Sequence, residues 1–237
     1  MRTLQLFATA AGMMSLLSSH AQAPEVSAGT EDFSGIYWGS LPVHGPEVYP
    51  FTPEGERVQG AFDPLVEDPR QVDDCASESM PAVLWAGTVN NMRFTQHGDT
   101  ITIYYEHGGT VRSIHMDGMP PPSDEPHSEL GYSAGRWSGG ELTIETTHLT
   151  DAFIFVSLGY PISRQARVTE RYWREDGLNL RTQVVVDDPV NYTEPIEYSR
   201  EWIWSPEEEV LDWDCVSLGP RDAEPDIDEL RRLLRDL

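Results

Sequence analysis

Residues Gly131–Gly135 read Gly-Tyr-Ser-Ala-Gly, which matches the Gly-x-Ser-x-Gly spacing of a serine-hydrolase nucleophile elbow. That chemistry needs a strained turn between a buried strand and a helix, so that the serine hydroxyl stands clear of the backbone. Here the segment continues through Trp137 to Gly139-Gly140, a hairpin signal that leaves no place for a helix after Gly135. Ser133 is therefore expected on a strand and not as a nucleophile, with Gly131 and Gly135 marking a bulge or a close backbone approach.

The other chemistry-bearing side chains fall on segments of period two, where alternate residues share a face. Tyr172 follows Glu170 on the face that also carries Val168 and Arg174. Arg112 shares a face with Ile114 and Met116, Thr146 and His148 with Leu142 and Ile144, and Arg200 with Ile196, Tyr198, Trp202 and Trp204. These faces are apolar but for a few ionisable or hydroxyl groups. Either they line a wet pocket, where aromatic walls and a few converging polar groups hold a small molecule, or Arg and Glu pair within a core or reach solvent at strand ends. In a pocket, Glu170, Tyr172 and His148 are the acid/base candidates. Arg112, Met116, Arg136, Trp137, Thr146 and Arg200 are the binding candidates, with Arg112 or Arg136 placed to stabilise an anion. The chain has 7 His. His115-x-Asp117 and His127-x-Glu129 flank a Pro-rich loop, but there is no His-Glu-x-x-His spacing and no Cys/His ladder. No metal and no cofactor are expected on this ground.

The elements that must position these groups are short strands. From Asn91 onward, runs such as 100–107, 110–116, 141–149, 166–176, 178–188 and 196–204 alternate, and Gly or Asp-Gly turns separate them. They predict eight to ten strands in an antiparallel meander that closes into a lipocalin-like β-barrel, a mainly β fold. The chain divides into a secretory leader at 1–23, a Pro- and acid-rich wrap at 24–90, the barrel at 91–218 and an amphipathic helix at 219–237. Ser34–Gly39 within the wrap could supply a first strand. The leader reading rests on Arg2, a short apolar run and Ala21-Gln22-Ala23. The tail helix rests on Ile227, Leu230, Leu234 and Leu237 at helical spacing after Asp226. Its stripe packs on the barrel or docks a partner protein.

Composition restricts the partners. Of 237 residues, 40 are Asp or Glu and 16 are Arg, with no Lys, for a net charge of −24. Such a field repels phosphate backbones and anionic lipid surfaces, so neither nucleic acid nor membrane is expected as a partner. The two cysteines, Cys75 and Cys215, are expected to form a disulfide in an exported protein. Asn191-Tyr192-Thr193 matches a glycosylation sequon, and Asp187-Asp188-Pro189 reads as a turn after a strand.

The run from Val111 to Thr147, followed by 170–195, resembles a family of exported bacterial proteins with no assigned reaction. The family pattern has Met-Asp-Gly-Arg before the Pro loop, Gly-His-Ser-x-Gly-Arg-Trp-Glu-Gly-Asp at the hairpin, and Asp-Asp-Pro-x-x-Tyr-Thr late in the chain. The positions that match are Met116, Asp117, Gly118, Gly131, Ser133, Gly135, Arg136, Trp137, Gly139, Glu170, Arg171, Asp188, Pro189, Tyr192 and Thr193, and Cys75, Met80 and Pro81 fit an earlier Cys-x-x-x-x-Met-Pro. The family's Arg is Met119 here and its His is Tyr132. The resemblance spans roughly 75–215 and implies export to the periplasm or beyond and a β fold. Taken together, the sequence reads as an exported barrel that binds an apolar or aromatic small molecule in a semi-polar cavity. A cofactor-independent lyase, isomerase or hydrolase in that cavity, or a structural or interaction protein of the cell envelope, are the alternatives.

Overall fold

The computed structural model describes residues 31–41, 43–63, 75, 78–85, 91–155, 158–174, 177–216 and 232. The leader and the tail helix read from the sequence lie outside the described residues, apart from Arg232. The strands are β1 (Gly35–Gly39), β2 (Asn91–His97), β3 (Thr100–Tyr105), β4 (Thr110–His115), β5 (Tyr132–Ser138), β6 (Glu141–Thr147), β7 (Ala152–Phe155), β8 (Tyr160–Ile162), β9 (Arg167–Trp173), β10 (Leu180–Asp187) and β11 (Ile196–Trp204), and one α-helix, α1, covers Pro53–Ala61.

Alternation sets the faces. In β10, Leu180, Thr182, Val184 and Val186 are buried, while the residues between them are half-buried. Matching rows on the neighbouring strands close the sheet into a barrel in the order β1-β11-β10-β9-β6-β5-β4-β3-β2. Closure leaves no open edge among these staves. The β5–β6 turn is Gly139-Gly140, with φ of 61° and 84°. Positive φ at both central residues is the type I′ turn that matches the twist of paired strands.

The barrel departs from a plain meander in three places. Its first stave, β1, comes from the N-terminal segment and pairs with both β2 and β11. Strands β4 and β5 pair in parallel, Ile114 with Ser133 and His115 with Ala134, because the Pro-rich loop between them carries the chain back to the starting end. The β7–β8 hairpin leaves the barrel, and β9 then returns to pair with β6.

Both ends of the barrel are filled. At one end, Phe33 meets Trp137 and Phe94 edge-on at ring-centre distances of 4.7 and 6.3 Å, and the Arg174 guanidinium lies 4.8 Å from its ring centre. At the other end, the segment 80–85 turns in, with Met80, Val83, Leu84 and Trp85 all buried. Trp85 packs 4.5 Å from Tyr198 and 5.3 Å from Phe155, and its Nε1 donates to the Ile154 carbonyl at 2.9 Å. The Cys75–Cys215 disulfide is present and ties the chain ahead of this segment to the tail.

The late motif is a clasp. The Asp188 carboxylate accepts from Ser163 N at 2.8 Å, Ser163 Oγ at 2.7 Å, Val190 N at 3.2 Å and Asn191 Nδ2 at 2.7 Å. Tyr192 donates to the Pro161 carbonyl, and Thr193 to that of Pro50. Thr52, which caps α1 by accepting from Gly55 N, donates to the Val190 carbonyl. Asn191 is buried and its amide is engaged, so the sequon is part of this packing rather than an exposed acceptor.

Candidate functional site

The interior carries a polar network across four staves. Arg112 on β4 and Glu170 on β9 are both buried and make a two-pronged pair, Nη2 to Oε1 at 2.6 Å and Nη1 to Oε2 at 3.0 Å. The remaining guanidinium donors reach Ser133 Oγ on β5 at 3.0 and 3.1 Å and Thr146 Oγ1 on β6 at 2.7 Å. Ser133 and Thr146 share a hydrogen bond of 3.0 Å, and Tyr172 Oη donates to Glu170 Oε2 at 2.8 Å. Such fork-to-fork pairs are short and directional. Burial disfavours the Arg112 cation, but Glu170 outweighs it and the guanidinium stays charged. Burial and the Glu170 charge push the Tyr172 phenol well above its ordinary range. Tyr105, fully buried beside the pair, is raised to about 12, mainly by burial.

Next to the network lies a void of about 10 Å³, lined by Leu84, Trp85, Tyr172, Thr182, Arg200 and Trp202 among others. Arg200 donates to the carbonyls of Leu84 at 3.0 Å and Ser40 at 3.2 Å and stacks over Trp202 at 4.2 Å. Burial lowers its pKa to about 10. Gly39 makes this fit, because a Cβ there would stand 2.1 Å from Arg200 Nη2. Thr182 Oγ1 and Trp202 Nε1, both on residues of this lining, are two of the buried side-chain atoms that have no hydrogen-bond partner among the described residues. Each such orphan is a cost of about 1–3 kcal/mol unless something completes it.

The residues singled out in the sequence divide accordingly. Glu170, Tyr172, Arg112 and Thr146 meet in the network, and Arg200 lies at the adjoining void. Trp137 faces inward at the Phe33 end, and Met116 packs on Gly135, where a Cβ would meet its sulfur at 2.4 Å. Arg136 points outward and is exposed. His148 is not on the inner face. β6 ends at Thr147, and His148 takes φ 59°, which turns the ring out to a surface groove. Alternation of faces stops with the strand and does not reach His148. Ser133 was placed on a strand but not in the network; its shared face with Gly135 and Trp137 was the available signal. Thr182 and Trp202 were missed as a pair because each reads as ordinary strand content.

Open grooves mark the outer surface of the described residues, two of them near residues singled out in the sequence. One, of about 540 Å³, runs over β9–β11 with Arg171, Arg181 and Trp173 on its walls. Arg171 is held by Glu141 at 2.7 and 2.9 Å, so its charge is already met. The other, of about 390 Å³, contains His127 and His148. No cluster of three or more His, Cys, Asp or Glu able to hold a metal ion occurs among the described residues, and no helix there is long and apolar enough to cross a membrane.

Comparison of the chain with protein-family models and with curated proteins finds no match. The positions that carry the resemblance noted above have folding roles: Gly131 has φ 64° and a Cβ there would lie 2.3 Å from the Thr147 carbonyl oxygen, Gly135 admits Met116, and Asp188, Tyr192 and Thr193 form the clasp.

Proposed function

We propose that the protein is an exported β-barrel that binds a small molecule with an apolar or aromatic body and a hydrogen-bonding group, at the barrel end closed by residues 80–85. The observation that carries this is the pair of orphaned polar atoms, Thr182 Oγ1 and Trp202 Nε1, at a void beside the buried Arg200 cation. A void of about 10 Å³ is the size of one water at most. A ligand therefore enters by displacing Leu84 and Trp85, whose aromatic neighbours Tyr198 and Phe155 then form its walls. The donor on Trp202 and the hydroxyl of Thr182 supply directionality, and Arg200 favours an anionic or carbonyl acceptor. Export is supported by the disulfide and by the leader-like first residues.

Catalysis gains no support from the network. Both Glu170 oxygens accept from Arg112, and Oε2 also accepts from Tyr172. In this reading the network is the floor of the ligand chamber and Glu170 is its brace.

Native mass spectrometry of the protein purified from its own cell envelope tests the proposal. A bound mass that is released by denaturation is expected. Trp202→Phe and Thr182→Val should each weaken recapture of that molecule roughly tenfold, the effect of about one hydrogen bond. Absence of any bound mass, with tryptophan fluorescence indifferent to a panel of aromatic carboxylates, would end the reading.

A further inference from the structure

His127 and His148 come from different segments, the end of the Pro-rich loop and the residue after β6, yet their ring centres are 5.4 Å apart. Backbone bonds fix this approach: Ser128 N donates to the His148 carbonyl at 2.9 Å and Thr150 N to that of Ser128 at 3.0 Å. His148 holds φ 59° in the left-handed region, which non-glycine residues enter sparingly and in which a surrounding frame must hold them. His127 Nδ1 lies 2.6 Å from the Leu149 carbonyl oxygen. A carbonyl can only accept, so Nδ1 carries the hydrogen, and the lone pair of the neutral ring is on Nε2. His148 Nδ1 lies 2.9 Å from Thr147 Oγ1, which can accept in the same way and leave Nε2 as the donor atom of that ring. A backbone carbonyl or hydroxyl behind each imidazole is the arrangement that orients metal-binding histidines. Two imidazoles on one tetrahedral ion at nitrogen distances of about 2.0–2.1 Å place their ring centres roughly 5 Å apart, close to the separation found.

We propose that His127 and His148 form an open two-imidazole site for a divalent transition-metal ion of the zinc or copper type, on the groove of about 390 Å³. The ligand set selects this class, because imidazole suits these ions, whereas calcium and magnesium take oxygen. Glu145 lines the same groove but is held by Arg167, so the other coordination positions belong to water or to an exogenous ligand. The net charge of −24 raises the local concentration of cations.

Copper(II) alone is the probe, added to the full chain. Isothermal titration is expected to show one tight equivalent, and electron paramagnetic resonance to show hyperfine coupling to two imidazole nitrogens. His127→Ala and His148→Asn, the latter tolerant of the same φ, should each weaken binding at least tenfold. His97→Ala, an exposed histidine elsewhere, should not. The spectrum of the unaltered protein stands even if a variant misfolds. Oxygen-only coupling, no equivalent tighter than millimolar, or an affinity unchanged when His127→Ala and His148→Asn are combined would overturn the site, the last by placing the ion on the acidic surface.

Discussion

Two neighbouring regions of one lumen solve the same problem in opposite ways. In the Arg112–Glu170 network each of the five side chains has a partner, and the charges are met by geometry. Around the void beneath residues 80–85, a hydroxyl and an indole N–H are left without one. Both regions are equally buried and lie on adjacent staves, so solvent does not account for the difference. A satisfied network fixes a unique packing and resists change. An unsatisfied one is stable only if something else completes it. The contrast suits a scaffolding role for the first region and, in the proposed reading, a binding role for the second, and each variant below breaks or sharpens it.

The largest effect is expected at the scaffold. Glu170→Gln leaves the Arg112 cation buried without its counter-charge, and breaking such a pair costs about 3–5 kcal/mol. The urea midpoint should fall accordingly. Replacing both partners by apolar residues, as in Arg112→Met with Glu170→Leu, should recover part of the loss, because no charge is then stranded although the buried Tyr172 Oη loses its acceptor. A Glu170→Gln shift below about 1 kcal/mol would be the behaviour of an exposed pair and would remove the contrast.

Period two made much of this legible. Glu170, Tyr172, Arg112, Thr146 and Arg200 all fall on inward faces because side-chain direction alternates along a strand whatever the topology. The barrel and the disulfide were legible too. The parallel β4–β5 pairing was not, since a loop of Pro and polar residues does not reveal where it delivers the chain. Nor was the filling of the lumen. Phe33, Met80, Leu84 and Trp85 come from segments without periodicity, and local pattern cannot show that they turn inward. For that reason a wet cavity was expected where the described residues leave about 10 Å³.

The disulfide bears on the void side. Cys75 and Cys215 are 140 residues apart, a separation at which the loop-entropy model gives about 5 kcal/mol, although measured bridges contribute about 2–4. Cys75→Ser with Cys215→Ser should lower stability by about 2–4 kcal/mol. Hydrogen exchange should then rise at 80–85, next to the bridge, while the amides of β4, β5, β6 and β9 around Arg112 stay protected until global unfolding. Uniform loss of protection would mean that the two regions open together.

Alkaline pH acts on both regions. Tyr105, beside the network, has its folded pKa raised from 10.0 to about 12, mainly by burial. Its contribution is complete below pH 10 and is lost as pH rises through 12, on the order of 3 kcal/mol. Arg200, at the void, has its folded pKa lowered to about 10. Above that pH the unfolded chain binds the extra proton, so this residue adds stability with rising pH and opposes the loss. Burial raises Tyr37 and Tyr172 as well, and also Tyr198 at the void, so the net expectation is a fall in stability above pH 10. Tyr105→Phe should remove its share of that fall, as followed by urea titration at fixed pH.

The smallest effect tests the void directly. Thr182→Val is nearly isosteric and removes a hydroxyl that has no partner among the described residues. If that hydroxyl only burdens the core, its removal relieves a cost of about 1–3 kcal/mol, and stability should hold or rise by up to about 1 kcal/mol. Ser133→Ala makes the opposite comparison, since that hydroxyl accepts from Arg112 at 3.0 and 3.1 Å, and a loss of about 1–3 kcal/mol is expected. The same kind of deletion thus has opposite signs three staves apart, on either side of Glu170. If Thr182→Val is destabilising without ligand, an ordered water already completes the site. The orphaned atoms then describe hydration rather than a vacancy for a ligand, and the argument for binding at this end falls with them.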